Sequence, residues 1–113
     1  MDQFIRYLEE ERARREAKEV ELCTDGRKDE GDMEKVRFNV YGMCLAIYQT
    51  VKQQCTPETL NSVYLKRLEE FPGKWEDSLK KAEKYADEKR ILVEQAKLET
   101  LQEVRSRFLS FRG

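Results

Sequence analysis

Residues 32–54, DMEKVRFNVYGMCLAIYQTVKQQ, decide the fold. Met33, Val36, Val40, Met43, Cys44, Ile47 and Val51 recur every three or four positions. That spacing places them on one face of an α-helix. Phe38, Tyr41, Leu45 and Tyr48 line a second face, leaving a narrow polar strip of Lys35, Asn39, Gly42, Ala46, Gln49 and Gln53. A helix apolar around most of its circumference sits at the centre of its fold or beneath a partner. Its uncharged run, Phe38 to Val51, is 14 residues, too short to span a bilayer. Gly42 costs about 1 kcal/mol against alanine in a helix interior and marks either a close approach or mere tolerance.

Outward from this segment the chain reads as helix in both directions. Residues 2–22 begin apolar (Phe4, Ile5, Leu8) and end apolar (Val20, Leu22). From Glu9 to Glu19 only Ala13 and Ala17 are uncharged, so the expected middle is solvated, with pairs such as Glu11 and Arg15 at helical spacing. Cys23 to Gly31, CTDGRKDEG, reads as a loop on its two glycines and polar cluster, and Asp32 as the N-cap of the next helix. The acidic spacing there does not match an EF-hand.

Thr56-Pro57-Glu58 is a helix start, with threonine as cap, proline at the first position and acid in the first turn. The expected third helix covers 57–70, with Leu60, Val63, Tyr64, Leu68 and Phe71 as its buried stripe. Phe71-Pro72-Gly73 ends it. Residues 74–111 contain no proline or glycine and read as one long helix carrying Trp75, Leu79, Ala82, Leu98, Leu101, Val104, Phe108 and Phe111. Straight, it would reach about 57 Å. It must overhang, pair with another chain, or bend, and the thin stretch near Asp87 is the expected place for a bend. No internal repeat is visible. The expectation is an all-α, four-helix bundle-like domain over 1–113 with the second helix at its centre.

Composition narrows function. The chain has 113 residues, 40% of them charged, with a net charge of −1 and no histidine. A balanced charge supplies no field for nucleic acid or an anionic membrane. The missing histidine removes the usual general base and the commonest metal ligand. No phosphate-binding glycine loop and no histidine-containing nucleophile arrangement is present. The expectation is no enzyme, no cofactor and no metal.

Three cysteines without zinc spacing read as reduced thiols, and Cys44 and Cys55 lie too far apart on one helix to bridge. The chain starts without a signal-like segment, so a cytoplasmic location is expected. Carboxylates at helical spacing, Glu83 with Asp87 and Glu99 with Glu103, could ligate a hard cation, though nearby lysines and arginines suit a salt-bridged surface better. Arg105, Arg107 and Arg112 interleave with Phe108 and Phe111, a pattern that can bind single-stranded nucleic acid. The helical register favours core packing with a basic rim instead.

Four stretches carry a resemblance: Arg27-Lys28-Asp29-Glu30, Lys35-Val36-Arg37-Phe38-Asn39-Val40-Tyr41, Trp75 with Ala82, and Glu94-Gln95-Ala96-Lys97-Leu98-Glu99. On these the chain resembles a family of small, functionally uncharacterised helical proteins from Firmicutes, gut clostridia included. The resemblance implies a cytoplasmic bacterial origin and a compact helical fold, and brings no catalytic residues.

The functional expectation is a protein–protein interaction module, binding a partner or itself as a homodimer. The overlong last helix and the nearly all-round apolar second helix motivate it. Its candidate surface is Phe38, Tyr41, Leu45, Tyr48, Leu98, Leu101, Phe108 and Phe111. The alternatives are a nucleic-acid-associated regulator using the basic-aromatic C-terminus and a small-ligand or metal-binding bundle.

Overall fold

In the computed structural model the described residues, 2–112, form five helices and no strand. These are α1 (Asp2–Thr24), α2 (Lys28–Gln54), α3 (Pro57–Leu68), α4 (Pro72–Lys84) and α5 (Glu88–Arg112). The fold is all-α and bundle-like. Its extents are 45 × 33 × 22 Å, and α2 lies among α1, α3 and α5.

The long C-terminal helix breaks where a bend was expected, and folds back as an α4–α5 hairpin. Tyr85 and Ala86 form the turn. Asp87 starts the next helix, its Oδ1 accepting the backbone N–H of Arg90 at 3.2 Å. This is N-capping, which satisfies one of the open donors of a helix start.

The expected loop at Cys23–Gly31 shrinks to Asp25-Gly26-Arg27. Asp32 therefore lies inside α2, where it pairs with Lys89 of α5 at 3.7 Å. Gly31 is a packing position. A Cβ there would come 2.7 Å from Cys23 Sγ and 3.3 Å from the Glu19 carbonyl oxygen, so α1 crosses α2 closely at that point. The break before Pro72 stands, but two residues earlier than expected: α3 ends at Leu68 and α4 begins at Pro72. Phe71 keeps right-handed helical angles, φ −86° and ψ −38°, although it precedes proline.

The middle of α1 is not uniformly solvated. Glu11 is buried, Arg15 and Glu19 are half-buried, and Ala13 and Ala17 face outward. Val20, expected to pack, is 61% exposed. Leu22 takes the inward position, and two residues of helix turn Val20 roughly 200° away from it.

The chain also contains a repeat that the sequence hides. The α1–α2 turn recurs sixty residues later at the α4–α5 turn. Arg27 N–H donates to the Leu22 oxygen at 2.8 Å, and Asp87 N–H to the Ala82 oxygen at 2.9 Å. Gly26 N–H donates to Cys23 at 3.1 Å, and Ala86 N–H to Glu83 at 3.2 Å. Both are Schellman closures with a left-handed residue, Gly26 at φ 77° and Ala86 at φ 54°.

Burial repeats at the same offset. Phe4 and Tyr64, Leu8 and Leu68, Leu22 and Ala82, Glu34 and Glu94, Cys44 and Val104, Tyr48 and Phe108 are all buried. By this register α1 corresponds to the end of α3 plus α4. The first half has one continuous helix where the second has a helix broken at Pro72. Proline has no N–H to donate to the carbonyl four residues back, which accounts for the break.

The two halves meet reciprocally. Phe4 lies 5.2 Å from Tyr48 and 5.0 Å from Phe108, while Tyr64 lies 4.9 Å from Phe108 and 5.0 Å from Tyr48, centroid to centroid. Contacts of i with j matched by j with i mark a two-fold relation. α2 and α5 run parallel about this local axis, as Asp32–Lys89 at one end and Tyr48–Phe108 at the other require.

Candidate functional site

The candidate interaction residues fall into two groups. Tyr41, Leu45, Tyr48, Leu101 and Phe108 lie in the core of the single chain. Their cover comes from both halves of the same molecule, Tyr7 and Phe4 in the first and Tyr64 and Phe108 in the second, so they form no outer surface. Phe38, Leu98 and Phe111 are half-buried and remain accessible. Phe38 and Leu98 are sixty residues apart and occupy matching places, one in each half.

At Phe38, the Arg12 guanidinium lies over the ring, its central carbon 4.7 Å from the centroid. Gly42 makes room for it: a Cβ there would stand 3.3 Å from Arg12 Nε. Glu9 and Glu16 flank this concavity of about 400 Å³. A cation against an aromatic face is a favourable arrangement, about 0.5–1 kcal/mol when exposed.

At Leu98 the matching place has no arginine, and Gln102 stands for Gly42. Glu69 and Glu76 stand where Glu9 and Glu16 stand in the first half, and Pro72 stands where Arg12 does. The result is a groove of about 470 Å³ between the α3–α4 bend and α5. Leu68, Leu98 and Leu101 line its floor, and Glu69, Glu76, Glu99, Gln102 and Arg105 its rim. Arg105 donates to Glu69 at 2.8 Å. Among the described residues, Glu76 and Glu99 have no ion-pair partner within 4.0 Å.

Two buried acids also match across the halves. Glu34 is held by Arg15 at 3.2 Å and Arg37 at 3.3 Å, and Glu94 by Lys97 at 3.2 Å and Arg90 at 3.3 Å. Position 15 is arginine in the first half, and its counterpart is Trp75. Lys97 lies 5.7 Å from that ring centroid. These networks pair each acid with cations on neighbouring helices or turns, as a carboxylate withdrawn from water requires.

The remaining sequence candidates are placed as follows. Phe108 is fully buried and Phe111 packs against the core, so they offer no pair of exposed stacking faces. Arg107 lies over Tyr7 at 5.1 Å and Arg105 is paired with Glu69, while the Arg112 side chain lies outside the described residues. Asp87 caps α5, and Glu103 accepts from the Tyr41 hydroxyl at 3.2 Å. Among the described residues no group of three or more cysteines and carboxylates is placed to hold a metal ion. No described helix is long and apolar enough to cross a membrane.

Cys44 is wholly buried and its thiol is pushed up to about 12 by burial. It accepts no role as a nucleophile in that state, since the thiolate is the reactive form. Its carbonyl accepts the Tyr64 hydroxyl at 2.9 Å.

The groove is the feature sequence reading missed. Its signal was present in Pro72, read only as a helix break. Comparisons with family models, with curated proteins and with solved structures find no match for this chain.

Proposed function

We propose that the protein is a non-enzymatic interaction module of the bacterial cytoplasm, and that it binds a protein partner through the groove at Leu98. The bacterial setting rests on the resemblance carried by Arg27–Glu30 and the other quoted stretches. The observation that supports binding is the contrast between the halves. Arg12 lies over Phe38 in the first, whereas in the second Pro72 stands at the matching position and half-buried Leu98 lines an open groove. An apolar floor with a polar rim suits protein recognition.

The two features that motivated self-association are satisfied inside the chain. The last helix folds back at Tyr85–Ala86, and α2 packs among α1, α3 and α5, which bury Val40, Tyr41, Cys44, Leu45, Tyr48 and Val51. A separate partner is therefore the stronger reading.

A photoreactive phenylalanine analogue placed at Gln102, with a control at Lys80, tests it in lysate of the source cells. A crosslinked protein specific to Gln102, lost when Pro72→Arg fills the groove, supports the reading. Equal capture at both positions, or none, contradicts it.

A further inference from the structure

We infer that the groove takes an arginine side chain presented by the partner, an inference that rests on the interaction reading above. The first half contains its own worked example. Arg12 lies over Phe38 in the room left by Gly42, in a concavity that Glu9 and Glu16 also line. The second half keeps the two flanking acids as Glu69 and Glu76 and keeps an apolar floor at Leu98. It differs in three places: proline at 72 has no side chain that can reach across, Leu98 stands for Phe38, and Gln102, on the rim, stands for Gly42.

The charge balance points the same way. Arg105 neutralises Glu69, leaving Glu76 and Glu99 on the rim of a site whose floor is leucine. A guanidinium suits this better than an ammonium. It is planar, weakly hydrated and able to lie on an apolar surface while its edges donate to carboxylates. Leu98 replaces the aromatic ring of Phe38, so the electrostatic share falls to the carboxylates and the stem of the arginine packs on the floor.

The test is a methyl NMR titration of the intact protein with N-acetyl-arginine amide, up to 50 mM, against the lysine and citrulline amides. The expected result is a saturable shift of the Leu98 and Leu101 methyls with arginine, at least fivefold weaker with citrulline. Glu76→Gln/Glu99→Gln should weaken it by a similar factor, and Pro72→Arg should abolish it without any loss of helical circular dichroism.

Equal shifts with citrulline would overturn the arginine assignment and leave the interaction reading standing. No shift with any amide, together with groove-specific crosslinking at Gln102, would overturn the assignment alone. No shift and no specific crosslink would overturn both. A dimer in sedimentation that Pro72→Arg disrupts would show a second copy as the occupant and overturn the separate partner.

Discussion

Phe4 and Tyr64, sixty positions apart in the chain, meet edge to face at the centre of the molecule, with centroids 5.8 Å apart and planes at 73°. Each is fully buried, and each also touches both Tyr48 and Phe108. Four rings from four helices thus form one cluster on the local two-fold axis. Edge-to-face aromatic pairs add about 0.5–1.5 kcal/mol beyond the area they bury.

Truncating either ring should therefore be severe. Phe4→Ala and Tyr64→Ala are each expected to cost about 3–5 kcal/mol in urea denaturation. The two should be non-additive, because the rings touch. Tyr64→Phe keeps the ring and loses only the hydroxyl bond to the Cys44 carbonyl, so about 1 kcal/mol is expected.

The two helical turns give a second prediction. Ala86 holds φ 54°, where an L-residue with a Cβ is strained by roughly 1–2 kcal/mol. Its counterpart Gly26 holds φ 77° without that penalty. Ala86→Gly should raise the urea midpoint and Gly26→Ala should lower it, each by about 1 kcal/mol at an unchanged slope.

Much of this fold was legible in the sequence. The apolar periodicity of α2, the Thr56-Pro57 start and the thin stretch at Asp87 are local signals, and each marks a real feature. What was not legible depends on partners far along the chain. Gly31 looks like a loop residue until Cys23 is seen against it. Glu11 looks solvated until α2 brings Glu34 close enough for Arg15 to bridge both acids.

The repeat was hidden because pairs such as Tyr41/Leu101 and Cys44/Val104 share burial but not chemistry. The groove was hidden for a related reason: Pro72 gains meaning only beside Arg12.

The Arg15 bridge gives the third prediction. Removing Arg15 leaves Glu34 with Arg37 and Glu11 with Arg14, both acids remaining withdrawn from water. Arg15→Ala should destabilise by about 2 kcal/mol, less than the 3–5 kcal/mol of a fully orphaned buried charge. A double-mutant cycle with Glu34→Ala should return a favourable coupling energy.

Alkaline pH supplies the fourth. Burial pushes the Cys44 thiol up to about 12, and burial followed by the charges of Glu103 and Glu11 pushes Tyr7 up to about 12; burial also raises Tyr41 and Tyr64. These groups titrate near 9.0 and 10.0 when unperturbed. Above about pH 9 the folded state therefore binds more protons than the unfolded state, and stability falls as pH rises. It should be intact below pH 9 and decline progressively toward pH 12. Cys44→Ala should flatten the decline. Exposed Cys23 should react with iodoacetamide well before Cys44 does.

The central claim is that two matching halves share one core about a local two-fold axis, since the vacant counterpart of Arg12 follows from it. Ring-to-ring nuclear Overhauser contacts in the intact protein test it most directly. Reciprocal contacts are predicted: Phe4 with Tyr48 and Phe108, and Tyr64 with Phe108 and Tyr48. Contacts confined to Phe4–Tyr48 and Tyr64–Phe108, with none crossing between the halves, would contradict it.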